Sequence, residues 1–111
     1  MLYIGVDLGT SAVKLLMMDE NGNIQKIVSK EYPLYFPYPG WSEQNPQDWF
    51  AQSMEGINEL TSECDKSQVA GISFGGQMHG LVVLDKDDQV IRPAILWNDG
   101  RTAKETDYLN Q

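Results

Sequence analysis

A short polar turn near the amino terminus carries the residues best suited to chemistry. Asp7, Gly9, Thr10 and Ser11 lie between two apolar runs, and Lys14 follows in the second of them. A glycine and two hydroxyl residues in a tight strand-to-strand turn expose backbone N–H groups, which suit phosphate oxygens. An acidic residue beside phosphate makes sense if Asp7 faces a hydrated magnesium ion, because magnesium needs few carboxylates. The pattern predicts a metal–nucleotide site.

The same residues also suit an ordinary hairpin turn. In that interpretation Asp7 bonds nearby backbone and Gly9 supplies a positive φ angle. Lys14 is open in the same way, because its ammonium group either reaches the phosphates or lies exposed on a hairpin strand. One short motif does not decide between these interpretations.

Length and charge bound the function. A chain of 111 residues is one small domain or part of a larger one. Sixteen acidic against eight basic side chains give a net charge of −8, which disfavours nucleic acid or a membrane surface as a partner. Cys64 is the single cysteine, so no internal disulfide forms, and no apolar run reaches membrane-spanning length. The expected compartment is the cytoplasm.

The first third of the chain has the pattern of three strands. Apolar runs at Leu2–Val6 and Ala12–Met18 flank the polar turn, and Asn23–Tyr32 follows a second turn that contains Asn-Gly. Asn-Gly is a strong hairpin signal. The sequence therefore predicts a three-stranded antiparallel meander.

A proline-rich loop, a helix and a further strand come next. Residues 33–45 interleave prolines with aromatic residues, which predicts an extended loop anchored by its rings rather than a regular ladder. Asn45 and Pro46 have the pattern of a helix start. The predicted helix runs to about Cys64, with an apolar stripe at Phe50, Met54, Ile57 and either Leu60 or Thr61. Cys64 falls on this stripe and is predicted to be a buried, inert thiol.

The rest of the chain adds short β segments and a final helix. Gln68–Phe74 is predicted to return to the sheet parallel to the first strand, through a right-handed crossover. Leu81–Leu84 and Val90–Ile91 are predicted strands, and a helix is expected over Thr102–Leu109.

Several ordered motifs resemble the FGGY carbohydrate kinases. They are the polar turn, Gly75–Gly80 (GGQMHG), Trp97–Arg101 (WNDGR) and Gly40–Pro46 (GWSEQNP). The resemblance implies an α/β, ribonuclease H-like (actin-like ATPase) domain whose mixed sheet opens with the meander and continues as βαβ. Members are several times longer, so residues 1–111 are expected to be the N-terminal part of the first kinase domain, incomplete and without the second domain.

The resemblance also implies a reaction. It is the transfer of the ATP γ-phosphoryl group to a primary sugar hydroxyl, with Mg²⁺ present. Asp7 is then the catalytically important residue at the magnesium end, acting through water, while Gly9, Thr10, Ser11 and Lys14 are expected to face the phosphates. The general base and the adenosine-binding loops are expected beyond residue 111, so the chain alone is expected to be inactive.

The sugar is assigned by resemblance to Met78 and His79. A thioether offers apolar contact, and an imidazole exchanges a hydrogen bond with a hydroxyl. A lone histidine is more often without function, but a strand-end loop between glycines favours ligand contact. The pair is similar to that of D-xylulose kinases. Gluconate or ribulose kinases, or a non-catalytic sugar- or nucleotide-binding module, are the alternatives.

Asn98 and Asp99 are expected to line the same cleft. Asp99 alternatively caps the helix that begins near Thr102, and Arg101 either pairs with a carboxylate or faces solvent. A partial sheet would leave an unpaired edge and an uncovered apolar face. We therefore expect self-association, as a homo-oligomer, or reduced stability.

Overall fold

The computed structural model describes all 111 residues, which divide into two units. The first unit contains Met1–Tyr32 and Gln47–Gln77, and the second contains Pro33–Pro46 and Met78–Gln111. Neither helix of the structure has the length and apolar character needed to cross a membrane. The elements, in chain order, are β1 (Leu2–Leu8), β2 (Ala12–Asp19), β3 (Ile24–Glu31), β4 (Glu43–Gln44), α1 (Pro46–Leu60), a 3-10 turn (Lys66–Gln68), β5 (Val69–Gly76), β6 (Ala94–Ile95) and α2 (Ala103–Leu109).

The first unit is a four-stranded mixed sheet in the order β3-β2-β1-β5. The β1–β2 and β2–β3 pairs are antiparallel, and β5 runs parallel to β1. The turn between β2 and β3 places Gly22 at φ +81°, and the Asp19 carboxylate accepts the N–H groups of Asn21 and Asn23. The predicted meander and the parallel return of the chain after the helix are both confirmed.

One face of this sheet forms the core. Side chains alternate across a strand, and the alternate apolar residues of β1 and β2 are almost fully buried. The core cluster consists of Ile4, Val6, Val13, Leu15, Met17, Val28, Tyr32 and Leu60, with Trp49, Ile57 and Cys64 among the partly buried side chains that pack against it. Cys64 packs against the core as predicted, but it is half-buried rather than buried.

The predicted stripe on α1 was wrong in its first half. Phe50 is 71% exposed and Met54 is 43% exposed, whereas Trp49 packs against the core. The contact line passes through Gly56, where an added Cβ would lie 2.5 Å from Leu15 Cδ1. A glycine carries no apolar signal, so a pattern of large side chains could not reveal this line. The helix also ends at Leu60, before the predicted Cys64.

The other face of the sheet is open. Two depressions of about 560 Å³ and 340 Å³ lie on it, lined in part by Gly5 and Leu16. Ile27, on the same face, is 62% exposed. The structure thus has the uncovered apolar face that was expected, while self-association stays a prediction.

The second unit has little regular structure. β4 and β6 pair antiparallel, with single bridges joining Tyr35 to Glu43, Leu81 to Ile95 and Leu84 to Val90. The predicted strands at 81–84 and 90–91 are reduced to such bridges. Between them, the Asp85 carboxylate accepts the N–H groups of Asp87 and Gln89 and closes a turn. The loop predicted to lack a ladder contains β4, which begins only after its last proline.

Two of the loop aromatics act as anchors. The rings of Tyr38 and Trp41 meet edge to face with centroids 4.7 Å apart, and the Arg101 guanidinium lies 3.6 Å from the Trp41 centroid. Tyr35 and Phe36 are 46% and 65% exposed. Ring contacts therefore support the predicted anchoring role for the Tyr38–Trp41 pair, although Tyr38 itself is 60% exposed, and none supports it for Tyr35 or Phe36.

Candidate functional site

Asp7 and Lys14 lie opposite each other near the end of the first hairpin. They are cross-strand partners in the β1–β2 register, and Asp7 is also the partner of Gly75 on β5. Paired residues direct their side chains to the same face of a sheet. Both side chains are exposed and line the larger depression on the open face. A carboxylate and an ammonium group therefore share one face at the end of the hairpin.

The phosphate turn, Gly9–Ser11, connects these two strands. Gly9 N–H donates to the Ala12 carbonyl oxygen at 2.9 Å, and an added Cβ on Gly9 would lie 3.0 Å from that oxygen. Gly9 does not have a positive φ, which occurs only at Gly22 and Gly40 among the glycines. The expectation that Gly9 supplies a positive φ angle was therefore wrong. Glycine is needed here because the Ala12 carbonyl oxygen approaches its Cα closely.

Tyr32 holds the phosphate turn from the core side, and the sequence did not single it out. Its hydroxyl donates to the Gly9 carbonyl oxygen, and its N–H donates to the Ser11 carbonyl oxygen at 3.2 Å. Burial, and then the charge of Asp7, raise the pKa of Tyr32 to about 12, so the hydroxyl stays a donor. The available signal was the hairpin register, which pairs Ala12 with Glu31 and places Tyr32 beside Ser11.

The end of β5 packs closely against the end of β1. An added Cβ on Gly76 would lie 2.9 Å from the Leu8 carbonyl oxygen, and Gln77 N–H donates to the same oxygen at 2.9 Å. Gly75 has no neighbour within 4 Å of an added Cβ. The two glycines therefore have different surroundings: Gly76 permits the strand contact, and Gly75 leaves space beside Asp7.

The donor set of this end of the sheet fits a magnesium–nucleotide. Asp7 supplies a carboxylate oxygen, the ligand type magnesium prefers. Lys14 carries the kind of point charge that binds phosphate, and Gly9 allows the tight turn because an added Cβ would lie 3.0 Å from the Ala12 carbonyl oxygen. Thr10 is half-buried and Ser11 is exposed at the surface of the turn.

Met78 and His79 lie in the second unit. Met78 is 72% exposed. His79 has φ +61°, a left-handed backbone conformation uncommon for residues other than glycine. Such conformations cluster at functional sites, because the surrounding structure must hold them. Asp88, in the exposed turn after Asp85, shares this conformation with φ +61°.

A two-hydrogen-bond bridge connects this segment to the tryptophan motif. Leu81 N–H donates to the Ile95 carbonyl oxygen at 2.8 Å, and Ile95 N–H returns a bond of 3.0 Å. Because the bridge is antiparallel, the residues before Leu81 run beside those after Ile95. Trp97 is 55% exposed and Asn98 is exposed. The bridge thus places Gly80 beside Ile95, where an added Cβ would lie 3.5 Å from the Ile95 carbonyl oxygen, and a shared cleft for the sugar pair, Trp97 and Asn98 stays a prediction.

Asp99 is the centre of a buried charge network. Its side chain is 2% exposed, and it accepts hydrogen bonds from Ser42 N–H at 2.6 Å and from Arg101 Nη2 at 2.6 Å and Nε at 2.9 Å. Arg101 Nη2 also contacts Glu43 Oε2 at 2.8 Å. The Arg101 hydrogen bonds hold the pKa of Asp99 well below its usual range, and those with Asp99 raise the pKa of Arg101.

The network answers two questions left open by the sequence. Arg101 pairs with Asp99 and Glu43, so its guanidinium does not face solvent. Asp99 does not cap α2, which follows Thr102, a residue that makes no side-chain cap bond. Glu43 and its second partner Arg92, at 2.5 Å, were not singled out from the sequence, because they lie far apart along the chain.

The chain belongs to the FGGY family of carbohydrate kinases, because the model of that family's N-terminal domain matches residues 2–111. The particular relatives it resembles include kinases of xylulose and of gluconate. A xylulose kinase from Bacillus subtilis (strain 168) is 52% identical over 104 residues, which cover 92% of this chain and 21% of that protein. A gluconokinase from the same organism is 32% identical over 99 residues, covering 89% and 19%.

The solved structures agree on the fold. A ligand-bound xylulose kinase from Lactobacillus acidophilus matches with a TM-score of 0.91 at 36% identity, covering 98% of this chain and 22% of that one. The predicted actin-like ATPase type of α/β fold is therefore confirmed. The chain spans about a fifth of the length of the curated relatives it matches.

Proposed function

We propose that this chain is the N-terminal part of a xylulokinase, which phosphorylates D-xylulose to D-xylulose 5-phosphate with ATP and Mg²⁺. The observation that carries the kinase activity is the pairing of Asp7 with Lys14 beside the phosphate turn, on an open face of the sheet. The curated relatives named xylulose kinase support the sugar, at identities that include 52%.

The phosphate end of the site is assigned to the first unit. Asp7 holds the hydrated magnesium ion, while Gly9, Thr10 and Ser11 present N–H and hydroxyl groups to the phosphates. Magnesium neutralises charge on the transferred group when bound. Phosphoryl transfer needs positioning and charge neutralisation more than covalent chemistry. A rigid turn on the end of a hairpin supplies the first of these.

The sugar end is assigned to the second unit. Met78 contacts the carbon skeleton, His79 exchanges a hydrogen bond with a hydroxyl, and Asn98, which is exposed, lines the same cleft. We assign Asp99 a different part from the one its sequence position indicated. Because its oxygens are engaged by Arg101 and Ser42, it acts on the sugar by fixing the loop that presents Asn98.

The general base is assigned to the part of the protein outside residues 1–111. Asp7 belongs to the magnesium–phosphate end, so it is not the group that accepts the proton of the sugar hydroxyl. The 111-residue chain by itself is therefore expected to be inactive, as a purified chain that releases no ADP from ATP and sugar at a kinase rate would demonstrate.

The experiment is a substrate comparison on the full-length protein, meaning the product of the parent gene. Phosphorylation by ATP is measured with D-xylulose, D-ribulose, L-ribulose, gluconate and glycerol. We expect the highest kcat/KM for D-xylulose. A preference for another sugar would keep the kinase assignment and discard the substrate. No turnover with any of them would favour a binding module.

Gluconate is the second candidate substrate. The gluconokinase from Bacillus subtilis is 32% identical to this chain over 99 residues. The two substrates differ in charge, because gluconate has a carboxylate that xylulose lacks. Salt dependence of KM would separate them, since binding of a charged substrate weakens with ionic strength.

A further inference from the structure

Tyr32 lies at the junction between the core and the phosphate turn. It follows the last residue of β3 directly and is 6% exposed. Its ring belongs to the core cluster that includes Val13 and Leu15. Close packing of such a core leaves a side chain little freedom to move. The ring therefore places the Tyr32 hydroxyl at a fixed point beneath the turn.

We propose that Tyr32 is a positioning residue for the phosphate turn, which it holds through hydrogen bonds to the carbonyl oxygens of Gly9 and Ser11. This inference rests on the proposed kinase function. It adds a residue that lies outside the turn motif, 23 positions from Gly9 along the chain.

The geometry of the peptide bond gives the two hydrogen bonds their effect. A trans peptide is planar, with its N–H directed opposite to its C=O, and no peptide bond of the chain is cis. Fixing the Gly9 carbonyl oxygen therefore fixes the direction of Thr10 N–H. Fixing the Ser11 carbonyl oxygen fixes the direction of Ala12 N–H in the same way. Both carbonyl groups are held from the Tyr32 side, so the N–H groups of those peptides are oriented away from it.

An oriented turn is worth more to a phosphate than a mobile one. Donors that are fixed before the ligand arrives do not have to be ordered by binding or at the moment of reaction. If Tyr32 were only a core side chain, phenylalanine would serve equally well. The hydroxyl group therefore separates the positioning role from simple packing.

The test is Tyr32→Phe in the full-length protein, with Tyr3→Phe as the matched control. The Tyr3 hydroxyl contacts only Met1 Sδ, at 3.5 Å, and does not bond the turn. For Tyr32→Phe we expect KM for MgATP to rise about three- to ten-fold, the scale of one hydrogen bond. KM for the sugar and the melting temperature should change little. For Tyr3→Phe all three should match the wild type.

A second measurement reports on the turn without catalysis. Amide hydrogen exchange of residues 9–11 should accelerate about three- to ten-fold in Tyr32→Phe and not in Tyr3→Phe. Unchanged exchange together with unchanged nucleotide KM would overturn the inference. Equal rises in the nucleotide and sugar KM values would also overturn it, because they would indicate a general packing defect.

Failure of the proposed kinase function would give a different result from failure of the Tyr32 inference. Wild-type protein that phosphorylates no sugar would reject the kinase assignment. Exchange of the turn and calorimetric binding of MgADP, compared between wild type, Tyr32→Phe and Tyr3→Phe, would then decide the role of Tyr32. Three- to ten-fold weaker MgADP binding by Tyr32→Phe alone would support it, and equal binding by all three proteins would refute it.

Discussion

Asp7 and Lys14 are direct cross-strand partners at the end of the first hairpin, and both side chains lie exposed on the open face of the sheet. In the proposed function, their opposite charges serve the cation and the anion of a magnesium–phosphate group. A carboxylate attracts the cation, and an ammonium group attracts the anion. The hairpin register, rather than closeness in sequence, brings the two groups opposite each other.

Replacing Asp7 is expected to stop turnover without unfolding the protein. In Asp7→Asn the side chain keeps its shape and loses its charge, and an exposed position tolerates this change. We expect kcat to fall about 100-fold or more, the scale of a lost charge-stabilising group. Circular dichroism and the melting temperature should be unchanged. Asp87→Asn, also exposed, is the control, and undiminished turnover by Asp7→Asn would reject the role of Asp7.

Two substitutions of Lys14 test whether its ammonium group contacts phosphate. If its ammonium group contacts phosphate, Lys14→Ala raises KM for MgATP about ten-fold, and Lys14→Arg recovers part of the loss because the charge remains. Steady-state kinetics at low and at physiological ionic strength measure both effects. Wild-type KM values for both variants would show that Lys14 is simply exposed on β2.

The left-handed backbone of His79 predicts that two substitutions will affect sugar binding alike but stability differently. His79→Ala and His79→Gly both remove the imidazole, so KM for the sugar should rise in both. Glycine adopts φ +61° without strain. His79→Gly should therefore be more stable than His79→Ala by about 1 kcal/mol. Urea unfolding and sugar kinetics of both variants test this, and equal stability of the two would show that the strain is absent.

The buried network around Asp99 predicts acid sensitivity. Hydrogen bonds from Arg101 lower the pKa of Asp99 in the folded protein from the usual 3.8. Its contribution to stability is therefore complete above about pH 4 and is lost as the pH falls below that value. The urea midpoint of the wild type should decline from pH 5 to pH 3.

Asp99→Asn supplies the comparison for this pH dependence. It should cost about 3 kcal/mol at neutral pH, because it leaves Arg101 with one buried partner fewer. It should also flatten the decline towards acid. Asp107→Asn, at an exposed position of α2, should keep the wild-type profile. Identical profiles for Asp99→Asn and the wild type would mean that other carboxyl groups dominate acid unfolding.

The contact between α1 and the sheet predicts an effect of a single methyl group. Gly56→Ala places a Cβ 2.5 Å from Leu15 Cδ1, so the helix or the side chain must move. Overpacking of this kind costs about 1–3 kcal/mol. Asn58→Ala, at an exposed helix position, should be neutral or slightly stabilising. Chemical unfolding measures both, and a stabilised Gly56→Ala would mean that the contact relaxes freely.

Local patterns allowed much of the first unit to be predicted. Alternating apolar residues and an Asn-Gly turn indicated the meander, and a proline after an asparagine marked the start of α1. These signals depend on residues close in sequence. The stripe on α1 was misassigned because its central contact is made by Gly56, which has no side chain to register in a pattern. The strands predicted at 81–84 and 90–91 were overestimated, because their apolar residues form only isolated bridges on either side of the Asp85 turn.

By itself, the sequence determined the family and the residue types of the turn between β1 and β2, because these are local and carry recognisable motifs. Only the tertiary structure decided that Tyr32 supports the turn, that Asp99 is buried against Arg101 and Glu43, and that His79 has a left-handed backbone. Each of these depends on contacts between residues distant in the chain or on a dihedral angle. Side-chain identity alone fixes neither, because packing selects among the partners and conformations that one sequence permits.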